Sequence, residues 1–305
     1  MQSGHKVSVI IVNFRVKDVL RDCLLSLRSH AVSGMEVLIV DNASHDGSVE
    51  MVRAEFPEFQ LIASNSNMGF SPANNVGMDA CTGDLILLLN PDTIVEPGAL
   101  QHWVDLHSVT KAGISGPKLL NADGSLQVSA WRIPGLLSSL LELFFLHRLF
   151  STGNYPAETF NSDFSPECLS GAALLFDRAI YAKAGGLDPE LFWMEDVDLC
   201  FRVSKAGYAV RYFHEPRITH LGGQSSKSNL NRVISNQLIS RLKFASKHRN
   251  FLHVFVLHLV VFCHILSRVL LFHLLLPIAG LARAKAYRFT FVKYLRYLFL
   301  HDRSI

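Results

Sequence analysis

Charge is scarce in this chain. Asp, Glu, Lys and Arg make up 18% of its 305 residues and nearly cancel, leaving a formal net charge of +3. So small an excess gives no electrostatic footprint for nucleic acid, and no nucleic-acid partner is expected. Cysteine is also sparse. Cys23, Cys81, Cys168, Cys200 and Cys263 are odd in number, scattered, and without C-x-x-C spacing. They read as free thiols in a reducing compartment rather than as a zinc or redox site. The chain has no internal repeat and no low-complexity tract. Residues 1–6 are short and polar and lack the form of a secretory leader, so the catalytic part is expected in the cytoplasm. Hydrophobic residues reach 49%, which excludes global disorder. The length suits one α/β domain with an appendage.

Short β-branched runs alternate with segments of helical spacing. Strands are expected at 7–12, 36–40, 59–63 and 84–89, and helices at 19–29, 45–56 and 72–80. That alternation predicts an α/β fold with a parallel sheet and helices on both faces. Polar residues follow three of the strands: Asn13 the first, Asp41 and Asn42 the second, and Asn90-Pro91-Asp92 the fourth. Asn and Asp also mark plain turns. Three such clusters on one sheet edge nevertheless favour a ligand crevice, because open α/β sheets bind at their C-terminal strand ends. Residues 113–131 read as loop-rich, with Gly116-Pro117 and Asp123-Gly124 as turn signals. A further strand is expected at 169–176, and an acidic cluster at 192–207 leads into a helix.

Several residues have the chemistry of a transfer reaction. Asp92 follows a buried strand and a proline that stiffens the turn. It suits a hard divalent cation, or else it is an ordinary turn carboxylate. Glu195, Asp196 and Asp198 crowd the first turn of a helix. Mutual repulsion and the neighbouring Phe192 and Trp193 would raise at least one of their pKa values, as a general base requires. The alternative is a solvated helix cap. His220, before Gly222-Gly223, is a metal ligand or a structural imidazole.

These motifs together resemble glycosyltransferase family 2. The similarity lies in residues 8–14 (SVIIVNF), 40–44 (VDNAS), 67–70 (NMGF), 74–77 (NNVG), 89–92 (LNPD), 170–172 (SGA), 195–198 (EDVD) and 220–223 (HLGG), in the family's order over about residues 5–227. The resemblance implies a GT-A-type nucleotide-binding sandwich with a central, mostly parallel sheet, and transfer with inversion at the anomeric carbon. By the same resemblance, Asp41 contacts the nucleotide, and Asn13, Asn42, Asn67, Asn74, Asn75 and Asn90 line the donor pocket, unless Asn75 only braces the fold. Asp92 and His220 hold Mg²⁺ or Mn²⁺. Asp196 is the base and Glu195 orients the acceptor. Many members carry D-x-D where this chain has Asn90-Pro91-Asp92, so one carboxylate is missing. That variant is similar to a rhamnosyltransferase-like branch that builds lipopolysaccharide and O-antigen. It implies dTDP-rhamnose as donor and extends to Lys118 and Arg132 as diphosphate contacts or plain loop cations, while the apolar end of the chain fits a lipid-linked saccharide as acceptor. Two alternative functions are transfer directly to a polyprenyl phosphate and an inactive nucleotide-sugar-binding scaffold.

The chain changes character near its end. A catalytic domain is expected over 1–240 and a membrane-associated helical tail over 241–305. Within 251–282, Arg268 is the one residue that stays charged at ordinary pH, and basic residues flank the segment on both sides. The runs 251–266 and 269–282 each look short for a bilayer crossing, and basic flanks on both sides disfavour one. A re-entrant hairpin or interfacial helices on the cytoplasmic face of the plasma membrane are expected. A soluble helical subdomain packing on the catalytic domain or on a second copy is the alternative.

Overall fold

In the computed structural model, β1 (Val7–Asn13) is buried along its whole length, as its apolar run VSVIIVN requires of a central strand. The structure describes residues 5–150, 153–222, 230–274 and 281–299. The chain forms two compact units. One comprises Met1–Trp131, Tyr155–Pro189 and Glu195–Ser225; the other comprises Arg132–Asn154, Glu190–Met194 and Ser226–Ile305.

The first unit is built on a mixed nine-stranded sheet. On one side of β1 lie β2 (Glu36–Asp41) and β3 (Gln60–Ala63), and on the other β4 (Leu85–Leu89), all parallel. The helices α1 (Lys17–Ser29), α2 (Ser48–Glu55) and α3 (Phe70–Ala80) connect them. α3 rides close on the sheet. A Cβ at Gly77 would lie 2.4 Å from Ile10 Cγ2, so no larger residue fits there without displacing β1.

Beyond β4 the order continues β10 (Ala173–Asp177), β6 (Ile114–Leu120), β11 (Val210–His220) and β5 (Thr93–Val95). β10 is antiparallel to both β4 and β6, β11 is parallel to β6, and β5 is antiparallel to β11. The short β7 (Leu126–Gln127) pairs with β6, and β8 (Ala130–Trp131) pairs with β9 (Cys168–Leu169). Three more helices complete the unit: α4 (Ala99–Thr110), α6 (Arg178–Ala184) and α7 (Glu195–Lys205), with α5 (Leu136–Leu143) belonging to the other unit. The core on one face gathers Leu24, Ile39, Phe56, Leu87, Trp103 and Phe213, each no more than 1% exposed. Fully burying each of these side chains contributes about 1.5–3 kcal/mol.

Two expectations are corrected here. Residues 113–131 are not mainly loop, because Ile114–Leu120 is a strand between β10 and β11. The run 169–176 is two strands, β9 and β10, separated by a turn at 170–172.

The second unit is helical. It contains α5 (Leu136–Leu143), α8 (Leu230–His248), α9 (Phe251–Leu274) and α10 (Leu281–Phe299). Leu238, Leu242, Leu257, Val261, Ile265 and Tyr294 form its core. Arg241 pairs with Glu142 at 2.6 Å and 3.0 Å. Arg268 donates to the carbonyls of Leu143 and Glu142 at the end of α5, where a cation offsets the helix dipole, and stacks 3.8 Å from the Phe145 ring. The expected break near 267 does not occur. α9 is one helix of 24 residues, long and apolar enough by length and composition to cross a membrane. Arg268, which made the two runs look separate, is turned inward and bonded. The expected boundary at 240–241 falls inside α8.

Candidate active site

Strand direction puts the candidate residues on one rim. The C-terminal ends of β1, β2, β4 and β11 and the N-terminal ends of β10 and β5 share an edge, because β10 and β5 run opposite to their neighbours. Asn13 and Asp41 are adjacent in register there, Ala173 pairs with Leu89, and His220 pairs with Thr93.

Asn13, Asp41, Asn42 and Asn67 form one polar network. The Asn13 side-chain amide donates to Asp41 Oδ1 at 2.7 Å and to Ser44 Oγ at 3.0 Å. The Ser44 backbone N–H donates to the other carboxylate oxygen at 3.0 Å. Asp41 is thus a bracket for the turn after β2, where Ala43 and His45 adopt positive φ. Asn42 reaches across to the loop before α3. Its amide donates to Asn67 Oδ1 at 2.9 Å and its carbonyl accepts from the Met68 N–H at 2.8 Å. Asn13, Asp41 and Asn42 are each at most 3% exposed. The network therefore shapes the surface a nucleotide would meet.

Asn74 and Asn75 stand apart from it. The Asn74 amide bonds the Phe70 carbonyl within α3. Asn75 uses both ends of its side chain on the Leu187 backbone, donating to the carbonyl and accepting from the N–H, each at 2.8 Å. Asn75 thereby ties α3 to the backbone at Leu187. Asp198 is likewise structural. It pairs with Arg202 at 2.7 Å, and Arg202 donates to the carbonyls of Ala184 and Gly186 just before Leu187.

The fourth strand ends in the Asn-Pro-Asp turn. His220 Nε2 lies 3.2 Å from Asp92 Oδ1 and 3.4 Å from the Asn90 amide. Its Nδ1 is 2.6 Å from Gln127 Oε1. The Gln127 amide donates to Asn121 Oδ1 at 2.9 Å and to the His220 carbonyl at 3.1 Å, which fixes its oxygen toward the ring. Nδ1 therefore carries the proton and donates to Gln127. In the neutral ring, Nε2 then carries a lone pair facing a carboxylate oxygen at hydrogen-bonding distance. Two acceptors in that relation are stabilised by a shared proton or by a divalent cation, so this donor set fits a metal. Among the described residues no cluster of three or more His, Cys, Asp or Glu has metal-binding geometry. The protein would supply two ligands, and substrate oxygens and water the rest. Gln127 lies in the stretch read as loop, and nothing in the sequence ties it to His220 across 93 positions. Cys23 is also unforeseen: its thiol lies under the turn, 3.5 Å from Thr93 Oγ1.

Asp196 lies in the first turn of α7. Its Oδ2 accepts from the Gly171 N–H at 2.9 Å and its Oδ1 from the Val197 N–H at 2.8 Å. Burial pushes its pKa up to about 6, against the lowering effect of those bonds. Ala172, next to Gly171, accepts from the Asn90 N–H at 2.9 Å. The segment 170–172 thus links Asp196 to the Asn-Pro-Asp turn. Glu195 opens α7 beside it.

Lys118 is not at the rim. It lies in β6, opposite Arg217 of β11, and lines a separate cleft of about 560 Å³ with Glu96, His102 and Glu215. Arg132 belongs to the second unit. Gly223 lies outside the described residues.

A family model for glycosyl transferase family 2 matches residues 8–183. An N-acetylglucosaminyl-diphospho-decaprenol L-rhamnosyltransferase of Mycobacterium tuberculosis is 29% identical over 229 residues, which span 70% of this chain and 75% of that protein. A low-salt glycan biosynthesis hexosyltransferase of Haloferax volcanii is 23% identical over 212 residues, spanning 65% and 62%. In fold, the chain is similar to a mannosyltransferase of Pyrobaculum calidifontis solved with GDP-Man and Mn²⁺. The TM-score is 0.61 at 14% identity, over 98% of this chain and 88% of that one. It is also similar to S. aureus TarS with UDP-GlcNAc, with a TM-score of 0.58 at 16% identity over 95% and 81%.

Proposed function

The chain belongs to glycosyl transferase family 2, and on that premise we propose that it transfers a sugar, with inversion, from a nucleotide-sugar donor to a lipid-linked saccharide at the cytoplasmic face of the plasma membrane. The observation that carries this reading is the convergence of Asp41, Asp92 and Asp196 on one rim of the sheet. The network of Asn13, Asp41, Asn42 and Asn67 forms the floor for the nucleotide. A divalent cation held by Asp92 and His220 would supply positive charge for the departing diphosphate. Asp196 takes the proton of the acceptor hydroxyl, and a carboxylate titrating at about 6 is matched to that task near neutral pH. The acceptor oxygen bonds the anomeric carbon as the sugar–diphosphate bond breaks, and the electron pair leaves on the diphosphate. Glu195 orients the acceptor.

We assign dTDP-rhamnose as donor, on the Asn-Pro-Asp and Glu-Asp-Val-Asp motifs and on the activity named for the mycobacterial relative. The product belongs to cell-surface polysaccharide synthesis. The test pairs two measurements on Asp196→Asn: sugar transfer, and donor binding read as thermal stabilisation. Lost transfer with retained binding supports the assignment; transfer at the wild-type rate removes Asp196 as the base. A thermal screen of nucleotide sugars with Mn²⁺ identifies the donor.

A further inference from the structure

Residues 251–300 contain no Asp or Glu. In α9, Phe251, Phe255, Leu259, Phe262, Leu266 and Leu270 are all exposed. They recur at intervals of three and four, so they form one stripe about 30 Å long at 1.5 Å per residue. The opposite face is committed inward. Leu257, Val261, Ile265 and Arg268 are buried, and α9 packs on α5, α8 and α10.

α10 runs antiparallel beside α9, with ring contacts between Phe262 and Phe291 and between Phe272 and Tyr287. Its exposed face mixes two chemistries. Lys285, Arg288 and Arg296 alternate with Phe289, Val292 and Phe299 at the same helical spacing. None of these three cations has an ion-pair partner among the described residues. Apolar rings and free cations on one face are both satisfied at a bilayer interface, where the rings enter the acyl boundary and the cations meet lipid phosphate. A helix that crosses alone meets lipid on every side. α9 offers lipid only one side.

We propose that α9 and α10 lie in the plane of an anionic bilayer, with the α9 stripe immersed, the α10 cations on phosphate headgroups, and no crossing by α9. This rests on the reading of a membrane-bound acceptor and specifies how the protein reaches it.

The test uses the full chain with Cys263→Ser, because Cys263 is the exposed thiol and Cys23, Cys81, Cys168 and Cys200 are buried. Flotation with sealed vesicles of mixed phosphatidylglycerol and phosphatidylcholine is expected to capture the protein at least tenfold more tightly than phosphatidylcholine alone. Removing one cation should weaken capture about fivefold, since each is worth about one power of that size near an anionic surface. Lys285→Gln, Arg288→Gln and Arg296→Gln together should weaken it roughly a hundredfold, with donor-induced thermal stabilisation unchanged. Arg249→Cys and Arg283→Cys, exposed polar positions before and after α9 and off its apolar stripe, should both react with an impermeant maleimide added outside. Protection of one end alone means α9 crosses, and overturns the in-plane seat while leaving the membrane reading intact. Equal capture by neutral vesicles overturns the anionic partner. No capture by any vesicle, with concentration-dependent dimers in sedimentation, makes the stripe a contact between copies and removes the membrane reading as well. Transfer to a short soluble acceptor, measured alongside, reports on the active site independently of all three.

Discussion

The sheet rim and the tail depart from ordinary burial in opposite directions. At the rim, Asn13, Asp41, Asn42 and Asp92 are polar and yet buried, between 0% and 7% exposed. In α9, Phe251, Phe255 and Leu259 are apolar and yet at least half exposed. Buried polar groups persist only when bonded, and most of the rim's are bonded to one another. Exposed apolar groups in such number call for a second environment. On the reading proposed above, the two departures teach the same lesson: each region is shaped for something the folded chain does not itself contain, a charged ligand in one case and an apolar phase in the other.

The contrast is broken most severely at the rim. Asp196→Asn should lower kcat by a factor of about 10²–10⁴, the usual worth of a general base, measured by sugar transfer under saturating donor. The same variant should raise the melting temperature at pH 7. The folded pKa of Asp196, about 6, lies above its ordinary value of 3.8. The folded state therefore binds more protons between those values, and stability falls as pH rises through about 6. The gain on substitution should be larger at pH 7 than at pH 4, and a uniform gain would mean the carboxylate is not strained by burial. In the wild type, kcat should fall below about pH 6 as Asp196 takes up a proton.

Gln127→Ala should weaken divalent-cation affinity by about 10–100-fold, read by titrating Mn²⁺ against transfer, because it frees the His220 ring to turn and change tautomer. EDTA should stop transfer in the wild type, and Asp92→Ala should make the loss irreversible by added cation. The tail responds differently. Ile265→Ala, on its buried face, should cost about 2–5 kcal/mol in denaturant unfolding. Leu259→Ser, on the exposed stripe, should stay within about 0.5 kcal/mol. Equal costs at both positions would place lipid-free packing, not an external phase, against the stripe. An intermediate cost is expected at Asn75→Ala. It leaves the Leu187 backbone pair unsatisfied, for about 1–3 kcal/mol, without changing transfer per folded molecule.

Much of the first half of the fold was legible in the sequence. β1, β2 and β4 announce themselves as apolar runs stopped by Asn or Asp, and their parallel order follows from the helices between them. The other half was not. β6 carries Gly116-Pro117, which reads as a turn, yet Pro117 lies inside a strand. β11 has Pro216 and five charged or imidazole residues in eleven, and it is held by register to β6 and β5 rather than by its own hydrophobicity. At the site, Asp41, Asp92 and His220 were recognisable by motif. Gln127 was not, because its role exists only through tertiary contact. Asn74 and Asn75 had the right residue type, but the helix carrying them turns one to its own backbone and the other to Leu187.

The three residues Ser170, Gly171 and Ala172 are a shared mount. Through the Ala172 carbonyl they steady the turn bearing Asp92, and through the Gly171 N–H they hold Asp196. Under the proposed roles, leaving-group departure and proton abstraction would be fixed to the same short length of backbone, and a shift in it would misalign both at once. A defect there should act on the reaction as a single fault, so damage to Asp92 and to Asp196 should add up to less than the product of the two.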